Sequence, residues 1–223
     1  MKSIIQLALL LGALLSAATH ALGATPPGVV KLDNGTLAMF TIPEGTTIPY
    51  VDNSPEPLIY GNLATNYPKG LYWCCVGMDL SGPLEGEIWD AAAFTPTANA
   101  TVTKVTVGVG YMFSSTTFDV LLSVNADNKG VPGKALKTWK IKFPNGQPMF
   151  GSCCVVKSGT GSVPISANTQ YWVVLSTESN SDIVAAWNIG DYDEIDKIPT
   201  AQYVNGVWTV YSNPAPAFAV YGH

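Results

Sequence analysis

The chain contains no arginine, and charged residues of every kind make up only 12% of its 223 positions. Its 11 basic residues are therefore all lysines, set against 16 acids for a formal net charge of −5. Without a planar guanidinium there is no bidentate clamp for phosphate and no arginine to read guanine edges, so nucleic acid is not an expected partner. Histidine is nearly missing as well: His20 lies in the leading segment and His223 is the last residue. A Ser-His-Asp or Cys-His arrangement, or a histidine-bound zinc, would have to be built on that terminal residue, which argues against such chemistry. Long apolar runs are absent after the first 23 residues, none approaching the ~20 needed to cross a bilayer. No transmembrane segment is expected in the mature chain.

The leading segment, residues 1–23, has Lys2, a largely apolar run from Ile4 to Leu15, and small residues at Ala21 and Gly23. That pattern reads as a secretory signal and predicts a secreted, extracellular protein. About 200 residues would remain, enough for one sizeable core.

Those residues read as strands and turns. In "TVTKVTVGVGYMF", Val105, Val107 and Val109 alternate with Lys104 and Thr106. "TFDVLLSV" alternates through Phe118, Val120, Leu122 and Val124, and "TQYWVVLST" sets Tyr171, Val173 and Leu175 against Trp172 and Val174. Period-two patterns rich in β-branched and aromatic residues predict half-buried strands. "TLAMFTI", "KALKTWKIKF", "IVAAWNI", "GVWTVY" and "AFAVYG" are further candidates, and "DNKGVPG", "PNGQP", "SGTGS" and "VNG" read as turns between them. No segment after the first holds a helical period. The predicted fold is all-β, an antiparallel sandwich of jelly-roll type over residues 71–223. Residues 24–70 carry Pro26, Pro27, Pro43, Pro49, Pro55, Pro57 and Pro68. Proline is kept out of central strands, so this stretch should wrap the sandwich or add at most one or two edge strands.

Several segments together resemble secreted bacterial choice-of-anchor β-sandwich proteins: "WCCVGMDLSGP", "VLLSVNADNKGVPGKALKTWKI", "ISANTQYWVVLST" and the closing "AFAVYG". The resemblance covers roughly residues 72–222 and implies an exported domain, with no catalytic residues to carry over. Asn168 stands where the resemblance leads one to expect glycine.

The four cysteines form two adjacent pairs, Cys74-Cys75 and Cys153-Cys154. In an oxidising compartment an even count favours disulfides. Neighbouring Cα atoms lie closer than the usual disulfide window, which strains a vicinal ring. A bridge between the pairs would close a loop of about 80 residues and contribute about 4.5 kcal/mol in the chain-entropy model. Two cross-links are therefore the expected arrangement, with vicinal rings as the alternative. Adjacent strand residues face opposite ways, so two cross-links need one buried and one exposed sulfur pair, or a local break in strand geometry. The C-C spacing suits neither a four-thiolate zinc site nor a C-x-x-C redox pair.

Two acidic clusters remain. "GDYDEIDK" places Asp191, Asp193 and Asp196 with Glu194, and "LEGEIWD" offers Glu85, Glu87 and Asp90. Oxygen ligands at D-x-D spacing suit calcium, which makes Asp191, Asp193 and Asp196 the candidate metal residues beside the plainer reading of a solvated loop. One carboxylate from each cluster could also form the acid pair of a glycoside hydrolase. Among the aromatics, Trp73, Trp187, Trp208 and Tyr211 stand beside turns or acidic segments and are the candidates for stacking on a sugar ring. The reading that results is a secreted, non-enzymatic protein with a binding or structural role and a glycan as preferred partner. An extracellular glycosidase and a self-associating matrix protein are the alternatives.

Overall fold

The computed structural model describes residues 39–41, 54–63, 71–79, 86–114, 118–143, 155–178, 183–188, 198–211 and 216–223. All regular structure within them is strand: β1 Met39–Thr41, β2 Leu58–Gly61, β3 Leu71–Asp79, β4 Gly86–Phe94, β5 Ala100–Ser114, β6 Phe118–Asn128, β7 Val131–Phe143, β8 Val155–Ile165, β9 Tyr171–Thr177, β10 Ile183–Asn188, β11 Thr200–Val204, β12 Val207–Tyr211 and β13 Phe218–Gly222. Every pairing is antiparallel. The fold is a β-sandwich of two packed layers.

One layer centres on β5. It pairs with β8 along one edge, and with β13 and then β10 along the other. Beyond β13 lies β2, and beyond β10 lies β3 with the short β1 beside it. The second layer runs β12-β11-β4-β9-β6-β7. The start of β4 also pairs with the end of β3, Gly77 opposite Ile88, and this junction joins the layers.

Hydrophobic burial between the layers drives this arrangement. Val105, Val107 and Val109 of β5 meet Val120, Leu122 and Val124 of β6, Val173 and Leu175 of β9, and Phe218 and Val220 of β13 in one buried cluster. The three alternating patterns in β5, β6 and β9 thus point into the core as their spacing predicts. Strand β9 is buried on both faces, because Trp172 and Val174 join Ala91, Ala93 and Ala201 in a smaller cluster on the other side of the second layer.

Two of the turns have mirror-image geometry. Lys129 and Gly130 (φ 57° and 88°) join β6 to β7, and Asn205 and Gly206 (φ 45° and 98°) join β11 to β12. Positive φ at both central residues matches the twist of the flanking strands. Asn168 is also left-handed, at φ 55°, a conformation asparagine shares with glycine. "SGTGS" is not a turn. It lies inside β8, where Trp139 of β7 lies across Gly159 and Gly161 and donates its Nε1 hydrogen to the Thr160 carbonyl at 2.7 Å. "PNGQP" lies outside the described residues.

Candidate functional site

The sequence-derived candidates separate once placed. Trp187 is fully buried, donates its indole hydrogen to the Ala217 carbonyl at 2.9 Å, and meets Phe218 edge-on with ring centres 6.2 Å apart. It is a core residue with no face left for a ligand, which corrects the sequence reading. Its place beside an acidic segment was misleading, because strand alternation aims it inward. Trp73 is the direct cross-strand partner of Trp187 on β3, but its side chain lies outside the described residues. The same holds for the side chains of Cys74 and Cys75, while Cys153, Cys154, Asp191, Asp193 and Asp196 lie wholly outside. The β3 backbone is described: Val76 faces Ala185 and Cys74 faces Ala186, so Cys75 is the extra residue of a β-bulge.

Trp208 and Tyr211 are half-buried on β12. They are three residues apart, an odd offset that sends them to opposite faces of a strand. Trp208 opposes Tyr203, which in turn opposes Trp89. Cross-strand partners share a face, so the three rings form one row. Trp89 and Tyr203 stack at 4.2 Å and 13°, and Trp208 meets Trp89 edge-on at 6.2 Å and Tyr203 tilted at 5.4 Å. The sequence does not mark Trp89 and Tyr203 as neighbours of Trp208, because only the register of β4, β11 and β12 brings the three into one row.

Beside this row runs one of small side chains. Val210, Ala201, Ala91, Val174, Ser123 and Thr138 are successive partners across all six strands of the layer. Ala201, Ala91, Val174 and Ser123 of this second row are buried. Trp208 packs on the Trp172 cluster, and β12 returns to within 8 Å of β7 between Cα atoms, so the layer is curled. The β11–β12 turn is pinned at its tip, where the Asn205 amide donates to the Glu87 carbonyl at 3.1 Å and the Glu87 amide donates to Asn205 Oδ1 at 3.0 Å.

On the opposite face of the same ladder, directly beside Trp89 and Tyr203, Asp90 accepts a hydrogen bond from Gln202 Nε2 at 2.9 Å. Asp90 is 1% exposed. Burial pushes its carboxyl up to about 7, and the Gln202 bond offsets part of that rise. A carboxylate so enclosed cannot meet a glycan in a cleft, which removes Asp90 from the proposed glycosidase pair. Glu87, three residues earlier, belongs to the opposite face by alternation. Among the described residues, no three His, Cys, Asp or Glu side chains gather as a metal site, and no helix is long and apolar enough to cross a membrane.

On β6, Asp127 Oδ1 accepts from Trp172 Nε1 and Gln170 Nε2, both at 2.8 Å, while Oδ2 accepts from the Gly130 amide at 3.0 Å. Burial raises the Asp127 carboxyl, but the three donors together outweigh it and hold it below its ordinary value. All three bonds are internal, which makes Asp127 a structural anchor for the β6–β7 turn.

No protein-family model, curated protein or solved structure matches this chain. The aromatic row on β4, β11 and β12 is therefore the candidate site on its own geometry.

Proposed function

We propose that this is a secreted, non-enzymatic binding protein that holds a carbohydrate against the row formed by Trp89, Tyr203 and Trp208. The observation that carries the reading is the fixed stack of Trp89 on Tyr203 with half-exposed Trp208 beside it. The apolar face of a pyranose lies well on an indole, and preorganised rings lose little entropy on binding. The leading apolar segment and the likeness to exported choice-of-anchor proteins support secretion.

A glycan array probed with the mature chain, with and without a calcium chelator, tests this. Binding that is lost in Trp208→Ala and kept in Tyr211→Ala, on the other face of the strand, is the expected result. Equal binding by Trp208→Ala would remove the row from the site, and release of reducing sugar would replace binding by hydrolysis. The chelator arm reports on calcium at Asp191, Asp193 and Asp196.

Self-association has an observation of its own. Strand β12 pairs with β11 alone among the described residues, carries no charge in "VWTVY", and exposes Val207 by 63% and Val210 by 44%. The opposite edge strand, β7, carries Lys134, Lys137, Lys140 and Lys142, the usual protection against edge-to-edge pairing. A matrix role would show as concentration-dependent sedimentation abolished by Val210→Lys.

A further inference from the structure

Three buried polar side-chain atoms among the described residues have no hydrogen-bond partner: Trp89 Nε1, Asp90 Oδ2 and Thr177 Oγ1. Two are on neighbouring residues of β4, and the third is at the end of β9, the strand beside it. Folded proteins satisfy more than about nine in ten such groups, so orphans on two adjoining strands, two of them on successive residues of β4, call for an explanation. The two on β4, Trp89 Nε1 and Asp90 Oδ2, lie on opposite faces of the strand to which the β11–β12 hairpin is attached. That hairpin holds to the sandwich through the β4 ladder, the Asn205–Glu87 pair, the bond from the Ala93 amide to the Pro199 carbonyl, and the packing of Trp208 on the Trp172 cluster. Midway along the ladder is the Asp90–Gln202 rung.

We propose that the β11–β12 hairpin is a pH-dependent latch on β4, with the Asp90–Gln202 rung as its catch. Closed, the rung buries a carboxyl group whose second oxygen has no partner. Opening returns that oxygen to water. From β11, Asp90 faces Gln202 and, one rung on, Thr200; from β9 it faces Leu175 and Thr177. Tyr211 of β12 shares the Thr200 rung and is the ionisable group on that face of the hairpin. The core-facing side chains of β3, β5, β10 and β13 in the buried cluster are apolar. No Lys, His or second carboxylate is buried among the described residues, so no charge compensates ionised Asp90.

The direction follows from linkage. In the closed form burial holds the carboxyl at about 7, against 3.8 for the ordinary group, so opening releases a proton between those values. Opening therefore becomes more favourable by about tenfold per pH unit from about pH 4 to about pH 7, and levels off above. Trp89 and Tyr203 occupy the adjacent rung, so an open hairpin parts the stack. That second consequence rests on the carbohydrate reading above; the latch itself does not.

Hydrogen exchange on the full chain, corrected for intrinsic rates, tests it without any ligand. Protection of residues 200–211 should fall about tenfold per unit between about pH 5 and pH 7 and then level off, while β6 and β5 stay protected. Asp90→Asn should flatten the profile. An equal slope in β6 and in the hairpin of the unmodified protein, or an unchanged slope in Asp90→Asn, overturns the latch. The regional comparison decides even if the variant does not fold. A working latch with an empty glycan array would sink only the carbohydrate reading, and glycan binding with a flat exchange profile would sink only the latch.

Discussion

The indole of Trp139 lies against Gly159 so closely that a Cβ built at position 159 would be 2.5 Å from the ring. The two residues belong to β7 and β8, edge strands of different layers, and their contact closes one side of the sandwich. Gly159→Ala should therefore cost about 1–3 kcal/mol through overpacking. Trp139→Ala removes the obstacle, so the double variant should lose less than the sum of the singles. Urea midpoints of the four proteins give the coupling; additive losses would show that the contact is not tight.

Stability should peak at mildly acidic pH. Asp90, with its folded value raised to about 7 from 3.8, favours folding while protonated, and that contribution is lost as pH rises from about 4 to about 7. Three units correspond to about 4 kcal/mol at most. Asp90→Asn should remove this decline in urea titrations at about pH 5 and pH 8. Asp127, held below its ordinary value, works the other way: its contribution is present above the unfolded value and lost as pH falls through the folded one.

Asp127→Ala leaves the buried Trp172 Nε1 without its acceptor. An unsatisfied buried donor costs about 1–3 kcal/mol, so the variant should melt earlier than a control such as Lys134→Ala on an exposed site. An unchanged midpoint would mean that water takes the place of the carboxylate.

Disulfide mapping should separate the cysteine pairs. Val155, Val109, Trp187 and Trp73 are successive partners across β8, β5, β10 and β3. Three strand spacings amount to about 14 Å, twice the ~6.8 Å limit for Cα atoms joined by a disulfide. Cys154 is next to Val155 and Cys74 next to Trp73 in the chain. Cutting the unreduced protein at lysines such as Lys104 and Lys129 should thus yield separate Cys74-Cys75 and Cys153-Cys154 peptides, each lighter by two hydrogens. A linked peptide would mean that the chain before Val155 runs back across β5 and β10, and would restore the loop-closing staple.

Where one face of a strand is more buried than the other, the sequence reveals it, as in β6, where buried Val120 and Leu122 alternate with the partly exposed Asp119 and Leu121. Strand β4 was harder to read. Its "GEIWDAAAF" holds alanines on both faces, and its Glu87 and Asp90 resemble a surface cluster until the ladder places Asp90 inward. Strand β8 was hidden by Gly159 and Gly161, whose glycines answer to a tryptophan twenty residues earlier. The candidate site was half legible. Trp208 could be picked out by its place beside a turn, but its neighbours Trp89 and Tyr203 come from strands 119 and five residues away, joined only by register.

The two hairpin tips differ in a way useful at the bench. The Asn205 tip is tied to Glu87 of another strand, whereas the Gly130 tip is held by Asp127 of its own hairpin, with nothing within 4 Å of a Cβ placed at Gly130. The Lys129–Gly130 tip is thus a natural attachment point for a fluorophore, an affinity tag or a surface tether. A protein immobilised there would carry its label on the β6–β7 hairpin, outside the three strands that bear the aromatic row.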